Sequence, residues 1–423
     1  MHGITLTKAP ADWEILQQEN GKATVALKGN FQVHPAAIEV GVERVTPVVR
    51  VMSEDDNMTV IPWTNADHFT CNEKFQGEFE VTLEIPAGGP YRIDTSLETK
   101  STVPDLTWLY RGDCVLHLGV GNLFIIAGQS NSAGYSRDFC IDPPSMDVHL
   151  YRNRSKWDIA SHPMNESTFA RSLANEEMGV PGVSPYLAFG KTYGKMTGMP
   201  VGLIQTSLGG SPMERWNPKD GDLYLNMVDK IHETGGRYAG VLWYQGCSDT
   251  NPGPAEKYLE HFREYVEATR KELGYEIPFF TMQLNRQING INDECWGMVR
   301  DAQARAAKEI PGVSVLTTSN LSLCDGIHNT AQANVALGEK LAKQCAHVLN
   351  GKEEYQPPEL VKVERADEAE RKSFQLEGSG IWLKLTCDHV KNCFLVYSAV
   401  GKDSGFTLTD SEGEVEILHI RGN

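Results

Sequence analysis

Leu123-Phe124-Ile125-Ile126-Ala127-Gly128-Gln129-Ser130-Asn131-Ser132 is an apolar run that stops abruptly at small and polar residues. Its length and composition suit a strand buried on both faces. Such a strand delivers Ser130 to the C-terminal edge of a parallel sheet, where open α/β folds hold their ligands. Ser130 is read as a nucleophile; the competing reading is a helix cap, a position that Ser and Asn favour. Asp325-Gly326-Ile327-His328, far along the chain, tips the balance. A serine hydroxyl needs a base, and the base needs an acid to orient it. Asp325 also suits the start of a turn that Gly326 completes. The roles are compatible, because a turn can bring the His328 imidazole beside Ser130 while its other nitrogen meets a carboxylate.

Around this strand, from residue 118 to 351, apolar runs alternate with amphipathic segments, the signature of βαβ units. Ser184, as N-cap, and Pro185 open a helix that Gly198 ends; Val201 to Gln205 is then a buried strand. Its C-terminal loop Ser207-Leu208-Gly209-Gly210-Ser211 reaches the same edge as Ser130, and so does the end of Gly240 to Tyr244. Further helices are expected over Leu223 to Ile231, around Tyr258 to Leu273, over Ala302 to Lys308 and over Thr330 to Leu349. Strands are expected at Val148 to Tyr151, Phe279 to Leu284 and Val313 to Thr317.

In these residues the chain resembles the SGNH (GDSL-like) hydrolases, and among them the sialate O-acetylesterase and acetylxylan esterase group. The matching blocks are Gly128-Gln129-Ser130-Asn131, Val201-Gly202-Leu203-Ile204 leading to Gly209-Gly210, Trp243-Tyr244-Gln245-Gly246, and Asp325-x-x-His328. Four blocks in the family's order are far more specific than any one. The resemblance implies a flavodoxin-like three-layer α/β domain with a parallel sheet and a carbohydrate O-acetylesterase that works through Ser130, His328 and Asp325. Backbone amides of Ser130 and of Gly209 or Gly210 would bind the tetrahedral oxyanion, glycine letting the substrate approach closely. Gln245 would take the oxyanion role that Asn fills in other SGNH enzymes. Asn131 and the aromatic residues Trp216, Tyr244 and Trp296 are candidates for substrate contact, since an aromatic at this edge can stack on a sugar ring. Cys247 stands where such sequences usually carry Glu, which places the acid role on Asp325 alone, and Leu208 stands where the family often has Trp. An SGNH esterase of lipid or aryl esters, and a noncatalytic glycan-binding protein on the same scaffold, are the alternatives.

The 423 residues suggest two or three domains at about 150 residues each. Residues 1–117 show short alternating strands, such as Phe79, Val81, Leu83 and Ile85 between Glu78, Glu80 and Glu84, and predict an antiparallel β-sandwich. A charged, proline-bearing linker from Lys352 to Pro358 leads to a small β-rich unit ending at 423. The formal charge of -17 argues against nucleic acid or anionic membrane as partner. With no signal-like start and no long apolar run, a soluble cytoplasmic protein is expected. The nine scattered cysteines, without a C-x-x-C pair, predict free thiols and no structural zinc. Neither metal nor organic cofactor is expected. The oligomeric state is not legible. Gly119-Val120-Gly121 and Gly190-Lys191-Thr192 superficially resemble nucleotide-binding loops, but the first precedes a strand and the second lies within a helical pattern.

Overall fold

A computed structural model describes residues 2–351 except 40, 103–107, 178–181 and 289; beyond them it describes backbone at 360–365, 367–369, 381–387, 390–397, 408–410 and 413–414. The N-terminal part holds β1 (Gly3–Lys8), β2 (Ile15–Gln17), β3 (Lys22–Gln32), β4 (Val42–Ser53), β5 (Thr59–Asn65), β6 (His68–Phe69), β7 (Gln76–Pro86) and β8 (Gly88–Ser101). β1-β3-β7-β6 form one antiparallel sheet, while β5-β4-β8 continue antiparallel into the next strand. Val25, Leu27, Val81 and Leu83 share a core with Val49, Val51 and Ile93. The run Ile38 to Val45, which reads as a short strand in the sequence, is one only from Val42 on, because Pro35–Glu39 forms the short helix α1 and Gly41 turns the chain at φ 84°.

The decisive strand is the second half of a longer one, β9 (Trp108–Gly128). Its first half pairs antiparallel with β8; its second half runs parallel between β12 (Val201–Gln205) and β13 (Gly240–Tyr244). The boundary expected at residue 117 therefore falls inside a strand, at a kink where His117 takes φ 56°. His117 is held there by Glu54 at 2.7 Å and by the Trp13 ring. One sheet is common to both parts because β9 never leaves it.

Beyond β9 come α2 (Ser130–Ala133), β10 (Val148–Tyr151), β11 (Trp157–Ile159), α3 (Tyr186–Thr197), α4 (Asp222–Glu233) after β12, and α5 (Pro254–Leu273) after β13. β14 (Phe279–Met282), α6 (Asp293–Glu309), β15 (Val313–Leu316) and α7 (Ala331–Asn350) complete the unit. Strand order is β11-β10-β12-β9-β13-β14-β15, with all neighbours from β10 to β15 parallel and β11 antiparallel at the edge. Leu123, Ile125 and Ala127 face α4, α5 and α6, whereas Phe124 and Ile126 face α3 and α7. Three layers follow from that alternation, since a strand apolar on both faces needs helices on both. Leaving β9, the chain builds β10 and β12 on one side and β13 to β15 on the other. β9 thus ends at the switch point, where such folds open a crevice.

Pro185, not Ser184, occupies the N-cap position of α3, and the Ser184 hydroxyl turns instead to Met164 Sδ at 3.2 Å. β16 (Leu360–Arg365), β17 (Ile381–Cys387), β18 (Val390–Tyr397), β19 (Leu408–Asp410) and β20 (Gly413–Glu414) form a separate antiparallel sheet. The expected linker, and within the β-rich unit the strand-like run Val415 to Ile417, lie outside the described residues. Among the described residues no helix is long and apolar enough to cross a membrane.

Candidate active site

Gly128 ends β9 at φ 129°, and a Cβ there would strike the Tyr244 backbone. That close approach lets Gln129 N–H donate to Tyr244 O at 2.9 Å and puts the ends of β9 and β13 side by side. Gln129 Oε1 accepts the Gly246 and Ser248 amides at 3.0 and 3.2 Å, fixing the turn after β13. Ser130 is the first residue of α2 and caps nothing; the cap position belongs to Gln129. The Ser130 hydroxyl goes elsewhere.

It meets His328. Asp325 Oδ1 accepts the N–H groups of Ile327 and His328 at 2.8 and 2.7 Å, an Asx turn that curls the loop. The curl brings His328 Nδ1 to 2.7 Å from Asp325 Oδ2 and Nε2 to 2.9 Å from Ser130 Oγ. With a carboxylate at Nδ1 the ring proton sits there, so Nε2 is free to accept from the serine. The loop starts from the far edge strand β15, three strands from β9, and Asn131 ties it down. Asn131 Nδ2 donates to Ile327 O, and Asn131 Oδ1 accepts Asn329 N–H, both at 3.1 Å. Asn329, fully buried, accepts from Asn285 Nδ2 at 2.8 Å and donates to Asn334 Oδ1 at 3.0 Å.

Burial works to raise the Asp325 carboxyl, but the two amides and the imidazole outweigh it and hold it below the usual range. The Tyr135 ring lies beside the His328 imidazole, at a centroid distance of 5.3 Å and a tilt of 32°. Cys247 is near enough to Asp325 to feel its charge, but burial pushes the thiol up to about 12, so it stays protonated.

The expected oxyanion donors divide. Gln245 is fully buried; its Nε2 donates to Ser211 O at 3.0 Å and to Asp249 Oδ2 at 2.5 Å, leaving only Oε1 unpartnered. Reversing the amide would set two acceptors, Oε1 and Ser211 O, face to face, so both donors are spent on bracing the loops. Gly209 N–H is likewise taken, by Glu177 Oε1 at 2.9 Å. Ser130 N–H, at the start of α2, and Gly210 N–H have no hydrogen-bond partner among the described residues. These two amides remain able to receive an oxyanion.

Three aromatic residues expected at the sugar are core residues instead. Trp216 has no exposed surface, packs on Trp243 and Tyr265, and donates Nε1–H to Ser211 Oγ at 3.2 Å. Tyr244 is buried with its hydroxyl accepting from Asn329 Nδ2 at 3.3 Å, and Trp296 is buried with Nε1–H on Asn285 O at 2.7 Å. Each ring is part of the packed core between sheet and helices, where apolar area is buried and only the polar tip needs a partner. Asn131 too is a brace. Sequence reasoning passed over Glu177, Tyr135 and Asn329. Only Asn329, adjoining His328, carried a positional signal; Glu177 lies in a stretch without periodicity.

Comparison with known proteins adds the following. Residues 120–347, more than half of the chain, match the family described as carbohydrate esterase, sialic acid-specific acetylesterase. A probable carbohydrate esterase of Arabidopsis thaliana is 29% identical over 246 residues, 52% of this chain and 88% of that protein. The crystal structure of a carbohydrate acetylesterase from Xanthomonas citri aligns over 98% of this chain and 93% of that one, with a TM-score of 0.52 at 18% identity, a likeness of fold. With a family match of that extent, the chain belongs to the carbohydrate esterases of the sialic acid-specific acetylesterase family and is an acetylesterase, a carboxylic ester hydrolase.

Proposed function

We propose that this enzyme removes acetyl groups from O-acetylated sugars or oligosaccharides through an acetyl-enzyme on Ser130. The observation that carries the reading is the single imidazole bridging Ser130 Oγ at 2.9 Å and Asp325 Oδ2 at 2.7 Å. His328 Nε2 takes the hydroxyl proton as Ser130 Oγ bonds to the acetyl carbon, and Asp325 stabilises the imidazolium. The developing oxyanion lies between Ser130 N–H and Gly210 N–H. As the carbonyl re-forms, the C–O bond to the sugar breaks and His328 returns the proton to the departing sugar oxygen. Water then attacks the acetyl carbon as His328 Nε2 takes its proton, the bond to Ser130 Oγ breaks, His328 returns the proton to Oγ, and acetate leaves. Hemicellulose fragments and O-acetyl sialic acid are the substrates to compare.

Ser130→Ala should abolish acetate release and leave the fold intact, since the hydroxyl contributes little packing. Turnover above about a tenth of wild type in a folded variant would remove Ser130 as nucleophile. A second reading, an esterase of apolar esters, is favoured by the strongly exposed Phe169 and Leu173 on the connection that carries Glu177. A panel of acetylated sugars against fatty acyl and aryl esters separates the two by kcat/KM.

A further inference from the structure

The connection between β11 and α3 carries a carboxylate that the reaction above leaves unused. Glu177 Oε1 accepts both the Gly209 N–H, at 2.9 Å, and the Tyr135 hydroxyl, while Oε2 accepts from Asn165 Nδ2. Asn165 cannot turn away, because its Oδ1 accepts from Asn153 Nδ2 and Gln205 Nε2 at 2.8 Å each. Lys230 extends this chain inward, donating to Asn153 Oδ1 at 2.7 Å. Asn153, Asn165, Gln205 and Lys230 are all buried, so Glu177 is the outer end of an anchored polar network.

Two further contacts bear on chemistry. Gly209 admits the carboxylate only because it lacks a side chain: a Cβ there would land on Glu177 Oε1 and on the Tyr135 hydroxyl. Asn175, two residues before Glu177, donates to Thr206 O at 2.9 Å and Ser207 O at 3.3 Å, so one segment grips the β12 loop at both ends. The Tyr135 ring, held by the same carboxylate, forms the wall beside the His328 imidazole. Burial pushes the Glu177 carboxyl up, against the hydrogen bonds from Tyr135, Gly209 and Asn165 that pull the other way.

We propose that Glu177 is a positioning residue of the esterase: by holding Gly209 N–H and the Tyr135 hydroxyl together, it sets the direction of the adjoining Gly210 N–H and the seat of His328. This rests on the reading of Ser130, His328 and Gly210 given above. Glu177 touches no reacting atom. Its effect is therefore on transition-state alignment, where a displacement of about 1 Å can cost about a hundredfold in rate.

Glu177→Ala should lower kcat for acetate release by about a hundredfold with KM changed less than about twofold. Glu177→Gln keeps an oxygen for Gly209 and Tyr135 but turns an NH2 toward the Asn165 NH2, so it should recover only about tenfold of that loss. Gly209→Ala should reproduce the deficit by expelling the carboxylate. The double variant Glu177→Ala/Gly209→Ala should be no slower than the slower single, because both changes cut one contact. Circular dichroism checks each fold, and Gly209→Ala and Glu177→Gln carry the test if Glu177→Ala does not fold. A Glu177→Ala rate within about threefold of wild type, a loss confined to KM, or additive losses in the double variant would overturn the proposal. Ser130→Ala, run alongside, separates the failures. Turnover by that variant sinks the nucleophile reading, whereas a full-rate Glu177→Ala beside an inactive Ser130→Ala sinks this one alone.

Discussion

Asp325→Asn isolates what the carboxylate does for the imidazole. The replacement keeps the turn, because an amide Oδ1 can still accept the Ile327 and His328 N–H groups now at 2.8 and 2.7 Å. What changes is the atom 2.7 Å from Nδ1, where an NH2 donor replaces an acceptor. Facing a donor, Nδ1 must give up its proton, and the proton moves to Nε2. Nε2–H then points at Ser130 Oγ across 2.9 Å and cannot take the hydroxyl proton. A fully buried triad loses about 10⁴ in kcat from this exchange. Here the Asp325 side chain is 51% exposed, so water can restore part of the correct tautomer. The expected loss is accordingly about 10² to 10⁴, or about 3 to 5 kcal/mol of barrier. The assay is acetate release from an acetylated sugar and from p-nitrophenyl acetate, with circular dichroism as the control on folding. Among the described residues no other carboxylate bonds the imidazole. Cys247→Glu added to Asp325→Asn should therefore recover part of the rate, since position 247 lies within reach of the Asp325 charge. Turnover of Asp325→Asn within about threefold of wild type would refute the reasoning, because another group would then be orienting His328.

Gln245→Ala should act on stability more than on chemistry. It strands Ser211 O and the Asp249 carboxylate, a cost of about 1–3 kcal/mol read as a lower urea midpoint. A hundredfold kcat loss with an unchanged midpoint would return Gln245 to the oxyanion. Lys230 supplies a pH signature. Burial pushes its amine down to about 7, well below its unfolded value of about 10.4. Between those limits the unfolded state binds more protons, so stability rises with pH. From pH 7 to 8.5 the gain should be on the order of 1 kcal/mol, and it should vanish in Lys230→Met, as urea titrations at both pH values would read.

How much of this was legible beforehand follows from the range of the forces involved. A strand apolar on both faces and closed by Gly-Gln-Ser-Asn announces a parallel sheet with a polar residue at its edge, since burial on two faces is written in local composition. The Asp325-x-x-His328 spacing likewise contains its own turn, because both amides that Asp325 accepts lie within three residues of it. Local chemistry ends there. A loop leaving β15 folds back across β14 and β13 to Ser130 and is tied there by Asn131 to Ile327 and Asn329; adjacency to Ser130 and His328 drew notice to the two asparagines, but nothing local shows that they meet. Tyr244 is the last residue of β13, where no periodicity separates core from site, whereas Trp216 follows the β12 loop and Trp296 lies within α6; all three turn out buried once the helices pack on the sheet. Gln245 and Gly209 look like free donors until Asp249, Ser211 and Glu177 arrive from other segments to occupy them. The sequence by itself determined the strand, the place of Ser130 at its end and the Asx turn. Only the tertiary structure decided which amides stay open to an oxyanion, because a hydrogen-bond donor's availability is set by every segment that reaches it.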